Sequence, residues 1–214
     1  MAAMEDGYVD LDDSTDTFGG EMLLAGGIKM RDSHEGGYGR VSVKKAFAVS
    51  SNVGISRIAM KHYSKNPQLF IDRLKAMHVA DQLSLQIPGE PAPRLKGTKE
   101  KDWSKVSLPF ISIGYESKLT PLQLLTFYNA VANNGKMVQP LFVKEIRNKG
   151  HVVQQFSGKV IAESICSPAT IKKARQLLEE VVTTGTASHI KHAQYTIAGK
   201  TGTAQIAQGK DGYK

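Results

Sequence analysis

The chain has 214 residues, 41% of them hydrophobic, which is enough for one domain with a buried core and too few for two comfortable ones. Its formal charge of +8 comes from 28 basic against 20 acidic residues scattered along the chain, and this scatter argues against a nucleic-acid partner. The single cysteine, Cys166, excludes an intramolecular disulfide, and no window reaches the roughly 18 apolar residues that a membrane span needs.

The opening "MAAMEDG" reads as the last turns of a helix ending at Gly7. Acidic residues Glu5, Asp6, Asp10, Asp12, Asp13, Asp16 and Glu21 follow with no Lys or Arg in the first 24 positions, so a basic tail is excluded at this end. Residues 8–40, with "FGGEM", "AGGIK" and "HEGGYG", predict turns and short strands over a surface. From Val41 the pattern becomes helical, with Val43, Phe47, Ile55, Ile58 and Ala59 mostly at helical spacings, and the polar "SSN" at 50–52 predicts a break into two helices.

Three later helices share one start signal. Asn66-Pro67, Thr120-Pro121 and Ser167-Pro168 each place a capping residue before a first-turn proline, opening "QLFIDRLKAMHV", "LQLLTFYNAVANNG" and "ATIKKARQLLEEVV". Gly135 is expected to close the second at C′, and Ile171, Ala174, Leu177, Leu178 and Val181 form one apolar stripe on the third. Pro88 to Lys105 reads as a loop. "PLFVKEI" and "HVVQQF" around "RNKG" predict a hairpin, and "YTIAGKTGTAQIA" predicts a further extended strand.

The stretch "AGKTGTAQ" at 198–205 carries chemistry. As the end of a phosphate-binding loop it would need its first glycine where Gln194 stands, after a loop rather than the strand-like "YTIA". As the K-T-G element of a penicillin-recognising serine enzyme it needs an S-x-N and an S-x-x-K elsewhere. Ser50-Ser51-Asn52 supplies the S-x-N at a helix break, and Lys200-Thr201-Gly202 supplies the K-T-G, in that order and widely separated. Each of these residues taken singly is more often a cap, a turn residue or a solvated lysine; their joint occurrence favours the site. His189 and His192 have no evident third ligand, so neither a metal nor a cofactor is expected, and Cys166 reads as a small buried hydrophobe.

On "AFAVSSNVG", "IGYESKLTPLQLLTFYNAVANNGKMVQP", "VVTTGTA" and "YTIAGKTGTAQ", in this order over most of residues 40–205, the chain resembles the transpeptidase domain of class B penicillin-binding proteins, nearest to the cell-division type. Glu116 in "IGYES" departs from the family, whose members often carry a glycine there. The resemblance implies the α/β (α+β) penicillin-recognising fold shared with serine β-lactamases, here incomplete. It would be a single partial domain over 1–214, with a surface loop region at 8–40, a mainly helical part at 41–135, and hairpin, helix and K-T-G strand at 136–214.

It also implies roles. Ser50 and Lys200 would relay protons, and Asn52 would hold the substrate amide. The hydroxyls of Thr201 and Thr203 would hold a carboxylate, the Thr203 N–H would be an oxyanion donor, and Gly202 would leave room for substrate along the strand.

Two stretches match S-x-x-K. Ser42 to Lys45 lies in the helical run of Ser50, and at about 1.5 Å rise per residue the two serines stand roughly 12 Å apart, too far to share a substrate. Lys44 and Lys45 are expected on the solvated face of that helix. Ser188 to Lys191 is short and polar where a nucleophile needs the head of a long buried helix. By resemblance the nucleophile lies upstream of Met1, with a membrane anchor, and further strands and a helix follow Lys214; this fragment alone is then expected to be inactive.

The implied function is a peptidoglycan D,D-transpeptidase on the periplasmic side of the cytoplasmic membrane, acting on D-alanyl-D-alanine stem peptides, acylated by β-lactams and partnered by divisome membrane proteins. The alternatives are a β-lactam sensor or β-lactamase of the same fold, and a non-catalytic cell-division interaction module.

Overall fold

A computed structural model describes residues 1–202, and Thr203 therefore lies outside the described residues. The chain opens with a short helix, α1 (Ala2–Glu5), ended by Gly7 at φ +71° as its sequence predicts. Residues 8–40 hold short strands and turns: β1 (Ser14–Asp16), β2 (Glu21–Leu23), β3 (Lys29–Arg31) and β4 (Arg40–Ser42). β1 pairs antiparallel with β4, and β2 with β3.

The expected helix break is present. α2 (Val43–Ala48) and α3 (Asn52–Tyr63) are separate helices, each begun by a serine whose side chain accepts from the backbone: Ser42 from Lys45 and Ser51 from Gly54. The inward face of α3 is Val53, Gly54, Ser56, Ala59 and Tyr63, so Ile55 and Ile58 are only half-buried. Lys44 and Lys45 are less solvated than expected. Both are half-buried against a later helix, with Lys44 Nζ 3.8 Å from Glu180 and Lys45 Nζ donating to the Thr184 carbonyl at 3.3 Å.

α4 (Pro67–Ala76) starts at Asn66-Pro67 as predicted, although the Asn66 side chain makes no capping bond. The loop expected at 88–105 contains β5 (Arg94–Leu95). Beyond the short helix α5 (Ser107–Ser112), β5 pairs with β6 (Ser117–Lys118). Between them Glu116 takes φ +57°, the conformation a glycine supplies freely, and its carboxylate lies 3.0 Å from the buried Lys96 Nζ.

α6 (Pro121–Ala132) has a complete capping box between Thr120 and Gln123. It ends one residue earlier than expected, so that Gly135 falls one position later in the motif: Asn133 is the C-cap, Asn134 at φ +54° takes the left-handed C′ position, and Gly135 follows it at C″. The Gly135 N–H returns to the Ala130 carbonyl at 2.8 Å, closing a Schellman turn.

After β7 (Met137–Val138) the predicted hairpin forms from β8 (Glu145–Asn148) and β9 (His151–Gln155). Its turn is tighter than "RNKG", because Lys149 and Gly150 both take positive φ and so match the twist of the flanking strands. β10 (Val160–Ala162) pairs back on β7.

α7 (Pro168–Thr183) starts at Ser167, whose hydroxyl accepts from Thr170 N. It buries Ile171, Ala174, Leu177 and Val181, with Leu178 half-buried beside them. Glu5 reaches across to this start, accepting from Ser167 N at 3.0 Å and Ser167 Oγ at 2.7 Å, so α1 is tied to the head of α7. Cys166 packs half-buried beside these residues, and burial pushes its thiol up to about 11, as suits a small hydrophobe.

Two of the apolar cores among the described residues hold the helices together. One joins α1, α3, α4 and α5 through Tyr63, Phe70, Ile71 and Leu108, and the other joins α6 and α7 through Val131, Met137 and Ile171. Each full burial of such a side chain contributes about 1.5–3 kcal/mol. A smaller cluster of Val181, Val182 and Ala187 with Phe47 and Ile197 fastens α7 to α2 and to the approach of Lys200.

The strand expected over "YTIAGKTGTAQIA" is absent from its described part. No described residue from 191 to 202 pairs in a sheet. A strand exists only through its ladder, and here the Gly199 N–H goes to the Leu178 carbonyl of α7 at 3.1 Å instead.

Candidate active site

The "SSN" turn is two caps fused in three residues. α2 ends at Val49 as C-cap; the Ser50 N–H then returns to the Phe47 carbonyl at 3.1 Å and the Ser51 N–H to the Ala46 carbonyl at 2.9 Å. That is a Schellman closure with Ser50 at C′, and Ser50 accordingly takes φ +56°. Glycine fills this position at no steric cost, whereas a serine stores strain on the order of 1–3 kcal/mol there. Ser51, only 1% exposed, is at once C″ of this turn and N-cap of α3, and Asn52 is the first residue of α3. The sequence therefore sets Ser50 at the apex of a tight turn with its hydroxyl projecting between two helices.

Lys200 reaches that hydroxyl from the other end of the chain, with Nζ donating to Ser50 Oγ at 2.8 Å. The same ammonium lies 3.1 Å from the Thr201 carbonyl and 5.8 Å from the centroid of the Phe47 ring. Burial pushes the Lys200 amine below the ordinary lysine value, which favours its neutral form. A half-buried amine in this condition, hydrogen-bonded to a serine hydroxyl, is able to pass a proton either way.

The segment 184–187, from "VVTTGTA", anchors both sides. The Thr186 N–H donates to the Ala48 carbonyl at the end of α2 at 3.1 Å, and Thr186 Oγ1 lies 2.7 Å from Thr201 Oγ1. Gly185 permits this approach: a Cβ there would stand 2.2 Å from the Ala48 oxygen.

The structure thus brings Ser50, Lys200 and Thr201 together. Gly202 is exposed, and a Cβ on it would meet no described atom within 4 Å, leaving that side of the segment open. Asn52 makes a bond of its own, its side-chain amide donating to the Arg31 carbonyl at 2.9 Å. Thr203 lies outside the described residues. Ser42 is engaged as the α2 cap, and Ser188 and Lys191 are exposed at the two ends of the short 3-10 turn Ser188–Ile190, Lys191 as its C-cap. Among the described residues no group of three or more His, Cys, Asp or Glu could hold a metal ion, so His189 and His192 form no such site there.

Sequence reasoning missed Thr186, Phe47 and Ser51 as parts of this site. Thr186 was legible only as part of a family block. In the sequence Phe47 stands only as a helical apolar position, and Ser51 only as the middle residue of S-x-N.

The whole chain, residues 1–214, matches the model described as the penicillin binding protein transpeptidase domain. Penicillin-binding protein PbpB of Mycolicibacterium smegmatis is 30% identical over 212 residues, covering 95% of this chain and 31% of that protein. The peptidoglycan D,D-transpeptidase FtsI homolog of Mesostigma viride is 25% identical over 187 residues, 81% of this chain and 31% of that protein. Among solved structures, penicillin binding protein 3 of Mycobacterium tuberculosis in its apo form aligns with a TM-score of 0.80 at 27% identity, covering 100% of this chain and 48% of that one. The chain spans about a third of these curated relatives, 31% of each, and about half, 48%, of this solved chain.

Proposed function

We propose, from the premise that this chain belongs to the penicillin binding protein transpeptidase family, that it forms part of a serine-type peptidoglycan D,D-transpeptidase. Such an enzyme cross-links stem peptides through an acyl-serine intermediate. The observation that carries this reading is the 2.8 Å contact between Lys200 Nζ and Ser50 Oγ, two residues 150 apart in sequence that no local structural need brings together.

In this role Ser50 and Lys200 pass protons between the attacking serine and the leaving amine, while the lysine also sets the local field. Asn52 exchanges its Arg31 contact for the substrate amide. Thr201 and Thr203 hold the terminal carboxylate of the D-alanyl-D-alanine end, the Thr203 N–H faces the oxyanion, and Gly202 admits the peptide backbone.

β-Lactams enter as mimics of that substrate. The same M. tuberculosis protein has been solved complexed with ampicillin, at a TM-score of 0.80 to this chain. The implied location is extracytoplasmic, where peptidoglycan is built, with divisome membrane proteins as partners of the longer protein. Among the described residues no helix is long and apolar enough to cross a membrane.

The test is penicillin acylation by the intact protein that contains this chain, followed by mass spectrometry. Lys200→Ala is expected to slow acylation on the order of 10²-fold or more, because it removes both the cation and the proton carrier. Near-normal acylation by that variant would refute the assignment.

A further inference from the structure

Asp32 stands in the loop after β3, in "RDSHEGGYG", part of a stretch whose composition predicts turns and short strands. Its carboxylate grips the S-x-N turn with both oxygens. Oδ2 accepts from Ser51 Oγ at 2.8 Å, and Oδ1 accepts from the Val53 N–H at 2.9 Å. The residue before it completes the hold, because the Arg31 carbonyl accepts the Asn52 side chain at 2.9 Å. The carboxylate appears in no ion pair of the described residues, and the neighbouring Arg31 pairs with Glu21 instead.

The energetics explain why such a brace is needed. Ser50 sits at φ +56°, a conformation costing on the order of 1–3 kcal/mol for a residue with a Cβ, and such a residue persists only where its surroundings over-determine it. Within the turn, Ser51 Oγ caps α3 by accepting from Gly54 N at 2.9 Å. A serine hydroxyl that accepts from one N–H still has one O–H to donate, and the Asp32 carboxylate accepts that hydrogen bond, fixing the Ser51 rotamer and with it the backbone on which Ser50 rides. Charge-assisted bonds of this kind are roughly twice as strong as neutral ones.

We propose that Asp32 is a positioning residue that holds Ser50 in its left-handed turn and thereby in register with Lys200. The inference rests on the reading of Ser50 and Lys200 as the proton-relay pair. It adds a residue that makes no contact with either member, acting through Ser51, Val53 and the Arg31 carbonyl.

The experiment uses the 214-residue chain itself. Amide hydrogen exchange is read at Val53 and Gly54, and the Lys200 side chain is titrated by NMR in the unsubstituted chain and in Asp32→Ala, Asp32→Asn and Ser50→Ala. In Asp32→Ala, exchange at Val53 and Gly54 is expected to quicken at least tenfold, while α4 and α6 keep their protection. The Lys200 midpoint is expected to move toward that of a solvated lysine, because the loosened turn no longer shields it.

Asp32→Asn keeps the shape and one acceptor, so a partial shift in the same direction is expected; it carries the test if Asp32→Ala fails to fold. Faster exchange at Val53 with an unchanged Lys200 midpoint would overturn the proposal, leaving Asp32 as a cap of α3 and nothing more. The underlying pair fails separately, if Lys200 titrates identically in Ser50→Ala and the unsubstituted chain.

Discussion

A glycine with no catalytic chemistry lies packed against backbone beside the candidate site, and a single methyl group placed there tests how the site is held. Gly185 lies where the segment after α7 crosses the end of α2, and a Cβ added to it would stand 2.2 Å from the Ala48 oxygen and 2.8 Å from the Val181 Cα. Both neighbours are backbone, so no side chain can swing aside. Real Cβ contacts essentially never fall under 3.0 Å, and α2 and α7 must therefore separate by close to an ångström. Overpacking of this kind costs about 1–3 kcal/mol. The separation also breaks the 3.1 Å bond from Thr186 N to Ala48, worth about 1 kcal/mol net.

Gly185→Ala should therefore lose about 3 kcal/mol, a fall in Tm of about 6–12 °C at the ~2–4 °C per kcal/mol expected for a chain of this size. The assay is thermal unfolding followed by circular dichroism, with Gly19→Ala as control, since a Cβ at Gly19 meets nothing within 4 Å. Ser50 is two residues beyond Ala48, so the same displacement should weaken the Lys200 contact. A Gly185→Ala chain melting within about 2 °C of the unsubstituted one would refute the packing argument.

Ser50→Gly should be more stable than Ser50→Ala by about 0.5–1 kcal/mol in denaturant unfolding, because both lose the hydroxyl but only glycine relieves the φ of +56°; equal midpoints would remove the strain. Burial holds the Lys200 amine below 10.5, so between that lowered value and 10.5 the unfolded chain binds more protons than the folded one, and stability contributed by this group rises with pH through that window. Compared with Lys200→Met, the unsubstituted chain should thus gain stability on approaching pH 10.5, and a relative loss would contradict the sign. Incubated with a penicillin, the 214-residue chain should gain no mass at Ser42 or Ser188, since Ser42 Oγ is committed to the Lys45 N–H and Ser188 is exposed beside an exposed Lys191; peptide mapping that finds an adduct on either would overturn their dismissal.

What the sequence makes legible here is local. Thr120-Pro121 with Gln123, and Ser167-Pro168 with its apolar stripe, announce helices because caps and periodicity are settled within a few residues. The hairpin at 145–155 follows for the same reason, from a Lys-Gly pair able to take two positive φ values. The C′ position of α6, taken by Asn134 rather than Gly135, is a local misreading, and the larger ones are non-local. Lys44 and Lys45 look fully solvated until α7, more than a hundred residues later, comes partly over them. The segment from Tyr195 to Gly202 has strand character, but no described partner supplies a ladder, and character alone does not make a strand.

The S-x-N turn shows where local rules and function part. By capping rules the residue after Val49 ought to be glycine, and a sequence optimised for stability alone would place one there. A serine at that C′ position is a local inconsistency, and such inconsistencies cluster where a side chain is needed for chemistry. The hydroxyl of Ser50 has a use that glycine cannot serve, the contact with Lys200, and the cost of its backbone is met by a carboxylate 18 residues upstream in a loop without a readable pattern. The motif names its first and third residues, but the second, Ser51, carries the mechanical load: it closes the turn after one helix, begins the next and donates a hydrogen bond to Asp32. Replacing Ser51 would therefore disturb Ser50 without touching it, and the middle position of this S-x-N is as constrained as the two that give the motif its name.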